Sequence, residues 1–150
     1  LNYSIEPFKD AYKDQLLSVW DSSVVTTHLF LTILDYIEIK QLVKEIDFNQ
    51  FQVYCLMQDE NVLGFVGVAE HKIEMLFLKP QFFKKGLGRK LMDFAIRELK
   101  ANKVDVNEQN TKAVIFYEKM GFVTYERSEK DDQGRNYPLL RMRLKPEQSL

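Results

Sequence analysis

Six consecutive residues, Lys84-Lys85-Gly86-Leu87-Gly88-Arg89, set two glycines among three cations where a strand-like run gives way to a helical one. Glycine lets a backbone approach a ligand closely and leaves its N–H groups uncovered. The first turn of a helix adds free N–H donors and a partial positive charge, so the segment reads as a pyrophosphate cradle. The same residues also describe a plain loop and helix start carrying solvated lysines. Two common phosphate motifs fit poorly. A dinucleotide turn wants a third glycine, an early βαβ unit and an acid about 20 residues on, whereas here the third glycine is missing and antiparallel-looking strands precede the turn. A P-loop needs Gly-Lys-Ser/Thr, which does not follow. A second segment, Asn107-Glu108-Gln109-Asn110 running into Ala113-Val114-Ile115-Phe116-Tyr117-Glu118-Lys119-Met120-Gly121-Phe122, brings amides and a phenol near a helix start.

The elements that carry these residues can be traced by periodicity. Asn2 to Glu6 alternates weakly and suits a short strand, and Pro7 sits where a helix accepts its first residue. Phe8, Tyr12, Leu16 and Val19 follow at helical spacing, which predicts a helix ending near 21–23. Val24 to Leu31 is β-rich in composition yet lies between two helical patterns, so it reads as strand or loop. Apolar residues at 33/34, 37, 42 and 46 predict a second helix over 33–48. Phe51–Met57 and Val62–Ala69 are strands joined by a polar turn, and Ile73–Leu78 is a third, closed by Pro80. Leu87, Leu91, Phe94, Ala95 and Leu99 mark one face of a helix opening at 86–88. Val104–Val106 is a short buried strand. Asn110 caps a helix over 111–120 that Gly121 stops. Phe122–Arg127 and Pro138–Leu144 are two final strands around an Asp131-Asp132-Gln133-Gly134 turn. That order predicts a mixed α/β sheet with helices on it.

Composition narrows the class. The 150 residues are one domain's worth, read as a single unit over 1–150. With 45% hydrophobic and 29% charged residues, disorder is excluded. Lys plus Arg number 21 against 22 Asp plus Glu, so no global field draws in nucleic acid or anionic membrane, which leaves a local basic patch as the one route to either. One cysteine, Cys55, and two histidines, His28 and His71, permit no internal disulfide and leave a Cys/His zinc site short of ligands, so no metal is expected. Reduced thiol chemistry makes a cytoplasmic location the expectation. No run approaches the roughly 18 apolar residues of a membrane span. The chain starts at Leu1 rather than Met, reads as trimmed there, and has no signal-peptide pattern.

Gln81–Leu91 together with Asn107–Phe122 resembles the GNAT superfamily of acyl-CoA-dependent N-acetyltransferases, and the order of elements fits that family along nearly the whole chain. Thr27-His28-Leu29-Phe30-Leu31, Asp105 to Asn110, and Asp131-Asp132 with Gly134 and Tyr137-Pro138-Leu139-Leu140 are similar to its bacterial YjaB-type branch. The resemblance implies one GNAT-like domain: a mostly antiparallel sheet of six to seven strands, splayed at the fourth, flanked by about four helices. It implies acetyl-CoA as co-substrate and a primary amine as acceptor, on a protein lysine, an N-terminus or a small molecule. Carried over by position, Leu76, Phe77 and Leu78 would pair their backbone with the pantetheine arm. Lys84, Lys85, Gly86, Leu87, Gly88 and Arg89 would hold the pyrophosphate, with Asn107, Asn110, Phe116 and Tyr117 flanking the cofactor's other side. One position departs from the pattern: Phe83 stands where the family usually has Gln or Arg, which keeps the backbone donors but loses a polar side-chain contact.

The chemistry needs few groups. An amine attacks the thioester in a ternary complex, and the oxyanion needs a preorganised donor, which a backbone N–H near 76–78 can supply. Tyr117 suits the general acid, because a phenol near pKa ~10 is close to an alkyl thiol at roughly 8.5; its other reading is an aromatic on a helix's core face. Glu74 is the chosen general base, with Glu70, His71, Glu108 and a water relay as rivals. His28 is expected to line the acceptor pocket, or else to pack as a loop histidine. Asn110 is at least a helix cap, and Cys55 reads as an inert core thiol. A monomer or homodimer fits equally. The competing class is an acyl-CoA-sensing module that binds without turnover.

Overall fold

The computed structural model describes residues 2–146; Leu1, where the trimmed start was read, and residues 147–150 lie outside them. Eleven regular elements follow one another: β1 (Ser4–Pro7), α1 (Lys13–Thr27), α2 (Ile33–Lys44), β2 (Gln52–Gln58), β3 (Asn61–Ala69), β4 (Lys72–Leu78), α3 (Leu87–Arg97), β5 (Lys103–Asn107), α4 (Thr111–Lys119), β6 (Phe122–Ser128) and β7 (Leu139–Leu144). The strands form one seven-stranded sheet in the order β1-β2-β3-β4-β5-β7-β6. Every neighbouring pair is antiparallel except β4 and β5.

That exception shapes the molecule. β4 and β5 run parallel and pair only at Lys72↔Lys103 and Ile73↔Val104. Beyond those residues the strands part, so β4 keeps its antiparallel bonds to β3 but shows a free edge from Glu74 to Leu78. The crossover between them is α3, as a parallel connection requires.

The period of two along the strands sends side chains into two cores. On one face, Leu56, Val66, Ile73, Leu78, Val104, Val106 and Met142 pack with Leu87, Leu91, Met92 and Ala95 of α3 and Tyr117 of α4. On the other, Val53, Cys55, Phe65 and Met75 pack with Leu16, Val19, Trp20 and Val24 of α1, Val43 of α2 and Phe48. Removing one of these large apolar side chains from such a core costs about 2–5 kcal/mol.

Two local readings of the sequence are corrected. Pro7 ends β1 rather than starting a helix; a 3-10 turn over Asp10–Tyr12 intervenes before α1. α1 also runs on to Thr27, through the Val-Val-Thr-Thr run read as strand or loop. Burial outweighs β propensity there, because Leu16, Trp20 and Val24 continue one stripe at i, i+4, i+8 into the core. The hydroxyls of Thr26 and Thr27 donate back to the carbonyls of Ser22 and Ser23, at 2.9 and 2.8 Å, so they do not compete with the helix.

Candidate active site

The Gly-rich segment folds as its composition suggests. Gly86 has φ +78° and is the residue from which α3 starts, and Lys84 is also left-handed at φ +61°. A left-handed residue followed directly by the right-handed first turn of a helix turns successive N–H groups toward one concavity, which suits an anion. Lys90 donates to Gly86 O at 3.1 Å, so the intrahelical ladder begins there. Among the described residues, the amides of Lys84 to Arg89 find no backbone acceptor and no side chain caps the helix. A Cβ built on Gly86 would meet nothing within 4 Å, so the space beside it is open. Phe83 packs with Phe82 against the α3/α4 core; the side chain at the departing position therefore anchors the loop from inside.

Upstream of this loop is the free edge of β4. The Lys79 amide donates to Leu63 O at 2.8 Å, on the β3 side. Alternation along the strand then aims the N–H groups of Leu76 and Leu78 toward the gap with β5. Leu76 and Leu78 bury their side chains in the α3/α4 core and Phe77 in the other.

Glu74 owes its position to a feature not legible in the sequence. Gly67 pairs with Met75 but Val68 pairs with Ile73, which leaves Glu74 as an extra residue in a β-bulge. A bulge re-aims side chains. Here Glu74 and Met75, although adjacent, line the same groove, with Trp20, Val43, Ile46, Gln50, Phe51, Ala69 and Phe77 as the other walls. The groove has a volume of about 530 Å³. Phe51 can lie across its floor because Gly67 has no side chain: a Cβ there would sit 2.6 Å from the Phe51 ring.

Tyr117 is 7% exposed, with its ring edge-on to Phe116 and Phe122 at 5.3 and 5.8 Å between centroids. Burial alone pushes its phenol above the ordinary value, so the hydroxyl stays protonated. Phe116 joins the two sequence motifs, since a Cβ on Gly88 would lie 3.8 Å from its ring. The structure thus brings the Gly-rich turn, Phe116 and Tyr117 together.

Other predicted residues have structural work of their own. The Asn110 side chain accepts from the Ala113 N–H at 3.3 Å as the cap of α4, and its own amide donates to Asn107 O at 2.9 Å. Glu108, a rival base, is held by the Arg127 guanidinium through bonds of 2.5 and 3.1 Å, and that hydrogen bond keeps its carboxyl below the usual range. His71 sits in the β3–β4 turn, with Nδ1 at 3.1 Å from Lys100 O. Cys55 is fully buried, and desolvation pushes its thiol up to about 12. His28 ends α1, with Nδ1 at 2.8 Å from the Thr27 hydroxyl and its ring near Phe30. It is not among the walls of the Glu74 groove. Among the described residues, no group of three or more His, Cys, Asp or Glu side chains converges as a metal site would require, and no helix is long and apolar enough to cross a membrane.

Two charged networks were missed by sequence reasoning. Asp105 accepts from Lys72 at 2.5 Å and from Arg141 at 2.7 Å, and Arg141 also reaches Asp132 at 3.0 Å. Desolvation opposes the Lys72 charge, but the hydrogen bond and charge of Asp105 outweigh it and hold the ammonium above its usual value. This clamp sits beside the last β4–β5 pair, where the fork opens. The β6–β7 loop is then pinned to α2: the Tyr137 hydroxyl donates to Asp35 at 2.5 Å, and Arg135 bonds Glu38. Only the alternation of β5, which puts Asp105 opposite Val104 and Val106 in facing, hints at the first network.

The family model for the acetyltransferase (GNAT) domain matches residues 10–145. The chain belongs to the GNAT acetyltransferase family. It is 38% identical over 130 residues to the peptidyl-lysine N-acetyltransferase YjaB of Salmonella typhimurium, a match covering 86% of this chain and 89% of that one. The solution structure of apo YjaB from Escherichia coli superposes with a TM-score of 0.87 at 31% identity, covering 95% and 97% of the two chains. PaiA N-acetyltransferase from Thermoplasma acidophilum, solved in complex with coenzyme A, shares the fold at 20% identity and a TM-score of 0.69, over 95% of this chain and 99% of that one. The expected GNAT-like domain is therefore present, as an open mixed sheet with four α-helices among the described residues, and the chain is an N-acetyltransferase by family.

Proposed function

We propose that the protein transfers the acetyl group of acetyl-CoA to the side-chain amine of a peptidyl lysine, by direct attack in a ternary complex. The observation that carries this reading is the run of unpartnered amides at Lys84 to Arg89, standing at the end of the free β4 edge. Those amides and the three nearby cations suit a diphosphate. Leu76 and Leu78 would bond the pantetheine arm, and one of their N–H groups would meet the oxyanion as it forms. Asn107 and Phe116 would border the cofactor from the β5 and α4 side. The YjaB relatives are peptidyl-lysine N-acetyltransferases, which favours lysine over a small-molecule amine as acceptor.

In the reaction the amine lone pair attacks the thioester carbon, the C–S bond breaks, and the thiolate takes the phenol proton of Tyr117. As the amide forms, the nitrogen loses its second proton to solvent, and the phenolate regains one from solvent, so the net release is the single proton taken by Glu74. Glu74, which carries no ion pair within 4.0 Å among the described residues, accepts the proton that the lysine ammonium must lose, directly or through water. The test is turnover of acetyl-CoA with a lysine peptide, followed by thiol release and by mass of the product. The expected result is one acetyl group on lysine per thiol freed. Coenzyme A binding without thiol release for any amine would replace the enzyme by an acyl-CoA-sensing module.

A further inference from the structure

The bulge at Glu74 does more than place a carboxylate. It aims that carboxylate into a groove whose remaining surface is almost wholly apolar, between Trp20 of α1, Val43 and Ile46 at the end of α2, and Met75 and Phe77 of β4. Glu74 is exposed, and among the described residues no cation lies within salt-bridge distance of it; Lys72, which acts on it at longer range, is already paired with Asp105. The groove lies on the sheet face opposite α3 and α4, with strand walls from Ala69 of β3 and from Glu74, Met75 and Phe77 of β4.

A carboxylate with no cation in contact with it, set beside apolar walls, selects a particular ligand: a cation carried next to apolar surface. A bare, well-hydrated ammonium gains little from Trp20, Ile46 or Phe77. An ammonium whose neighbour is a large apolar side chain gains at both places, because the carboxylate receives the charge and the walls remove apolar area from water. Charge complementarity thus commits the groove to one occupant.

We infer that the groove selects acceptor peptides in which the residue beside the acetylated lysine is large and apolar, with Glu74 taking the lysine ammonium and the Trp20–Ile46–Phe77 walls taking the neighbour. This rests on the peptidyl-lysine reading above and names the sequence context that reading leaves open.

The experiment compares kcat/KM for a peptide set on the unaltered protein. The peptides are identical except for the residue on either side of one lysine, which is Leu, Phe, Ser or Asp. Burying one such side chain in an apolar pocket discriminates by about 10- to 200-fold. Leu and Phe peptides should therefore exceed the Ser peptide by at least tenfold on one flank, with the Asp peptide lowest because its charge meets Glu74. Replacing Ile46 by Ser, at a half-buried wall position, should shrink the Leu-to-Ser ratio severalfold. Equal rates for all flanks, with acetylation intact, would overturn the apolar selection alone. Failure to acetylate any lysine peptide while a small amine is acetylated would overturn the peptide reading and this selection with it. Preference for Asp or Ser flanks would overturn the assignment of the groove.

Discussion

Replacing Tyr117 by Phe removes one oxygen and leaves the ring. The ring's packing between Phe116 and Phe122 and its place in the α3/α4 core are kept. Among the described residues no group hydrogen-bonds the lost hydroxyl, and burial raises its pKa. The folded state should therefore lose little, within about 1 kcal/mol, because deleting a hydroxyl that bonds no protein group leaves no orphaned group behind. Activity should behave otherwise. A positioned general acid contributes about 10²- to 10⁴-fold, so kcat should fall at least a hundredfold in a thiol-release assay while coenzyme A affinity stays near that of the parent. The pH profile adds a second readout. The raised phenol pKa keeps the acid protonated through neutral and mildly alkaline pH, so the parent rate should show no decline attributable to Tyr117 below pH ~10, its unperturbed value. A variant with parental kcat and parental Tm would remove the phenol from the mechanism. A variant that lost activity only in proportion to a large drop in Tm would make Tyr117 a core residue and nothing else.

Gly86→Asp should lower coenzyme A affinity by more than a hundredfold, because it forces a side chain into a left-handed residue and sets an anion before the diphosphate; two like charges ~4 Å apart repel by about 4 kcal/mol at an effective dielectric of 20. Unchanged affinity by calorimetry would relocate the cofactor. Asp105→Asn leaves Lys72 and Arg141 facing each other without their shared carboxylate at the mouth of the fork, and should raise the KM for acetyl-CoA or acceptor severalfold with a smaller change in kcat, with partial rescue by Asp105→Glu. A lowered Tm with unaltered kinetics would make the clamp purely structural. Burial lowers the pKa of His28, so the unfolded chain takes up its proton first; the contribution is complete above the unfolded value near 6.5 and fades as pH falls through the folded one. His28→Asn should flatten that acid-side loss in denaturant titrations at pH 5 to 7.5.

The parts of the fold legible in the sequence were those whose local signal agrees with the tertiary answer. Gly86 before an amphipathic stripe marks a helix start because the left-handed turn and the buried face of α3 require those residues. Asn110 was readable as a cap for the same reason, and its side chain does cap α4. The run 24–27 departs from its local signal because its β-branched residues obey the Leu16–Trp20–Val24 stripe rather than their own preference. At the site, the glycines and Tyr117 stood out by type and spacing. The bulge did not, since Glu74 differs from any strand residue only in the register of its partner. The Lys72–Asp105–Arg141 clamp joins three strands far apart in the chain, and no local pattern carries such a contact.

The most direct test of the account is a crystal structure of the protein with coenzyme A. The account predicts diphosphate oxygens within hydrogen-bond reach of the amides of residues 84–89, the pantetheine arm along the free edge of β4, and the sulfur beside the Tyr117 hydroxyl. A diphosphate held elsewhere, or a sulfur with Phe116 standing between it and that hydroxyl, would contradict it.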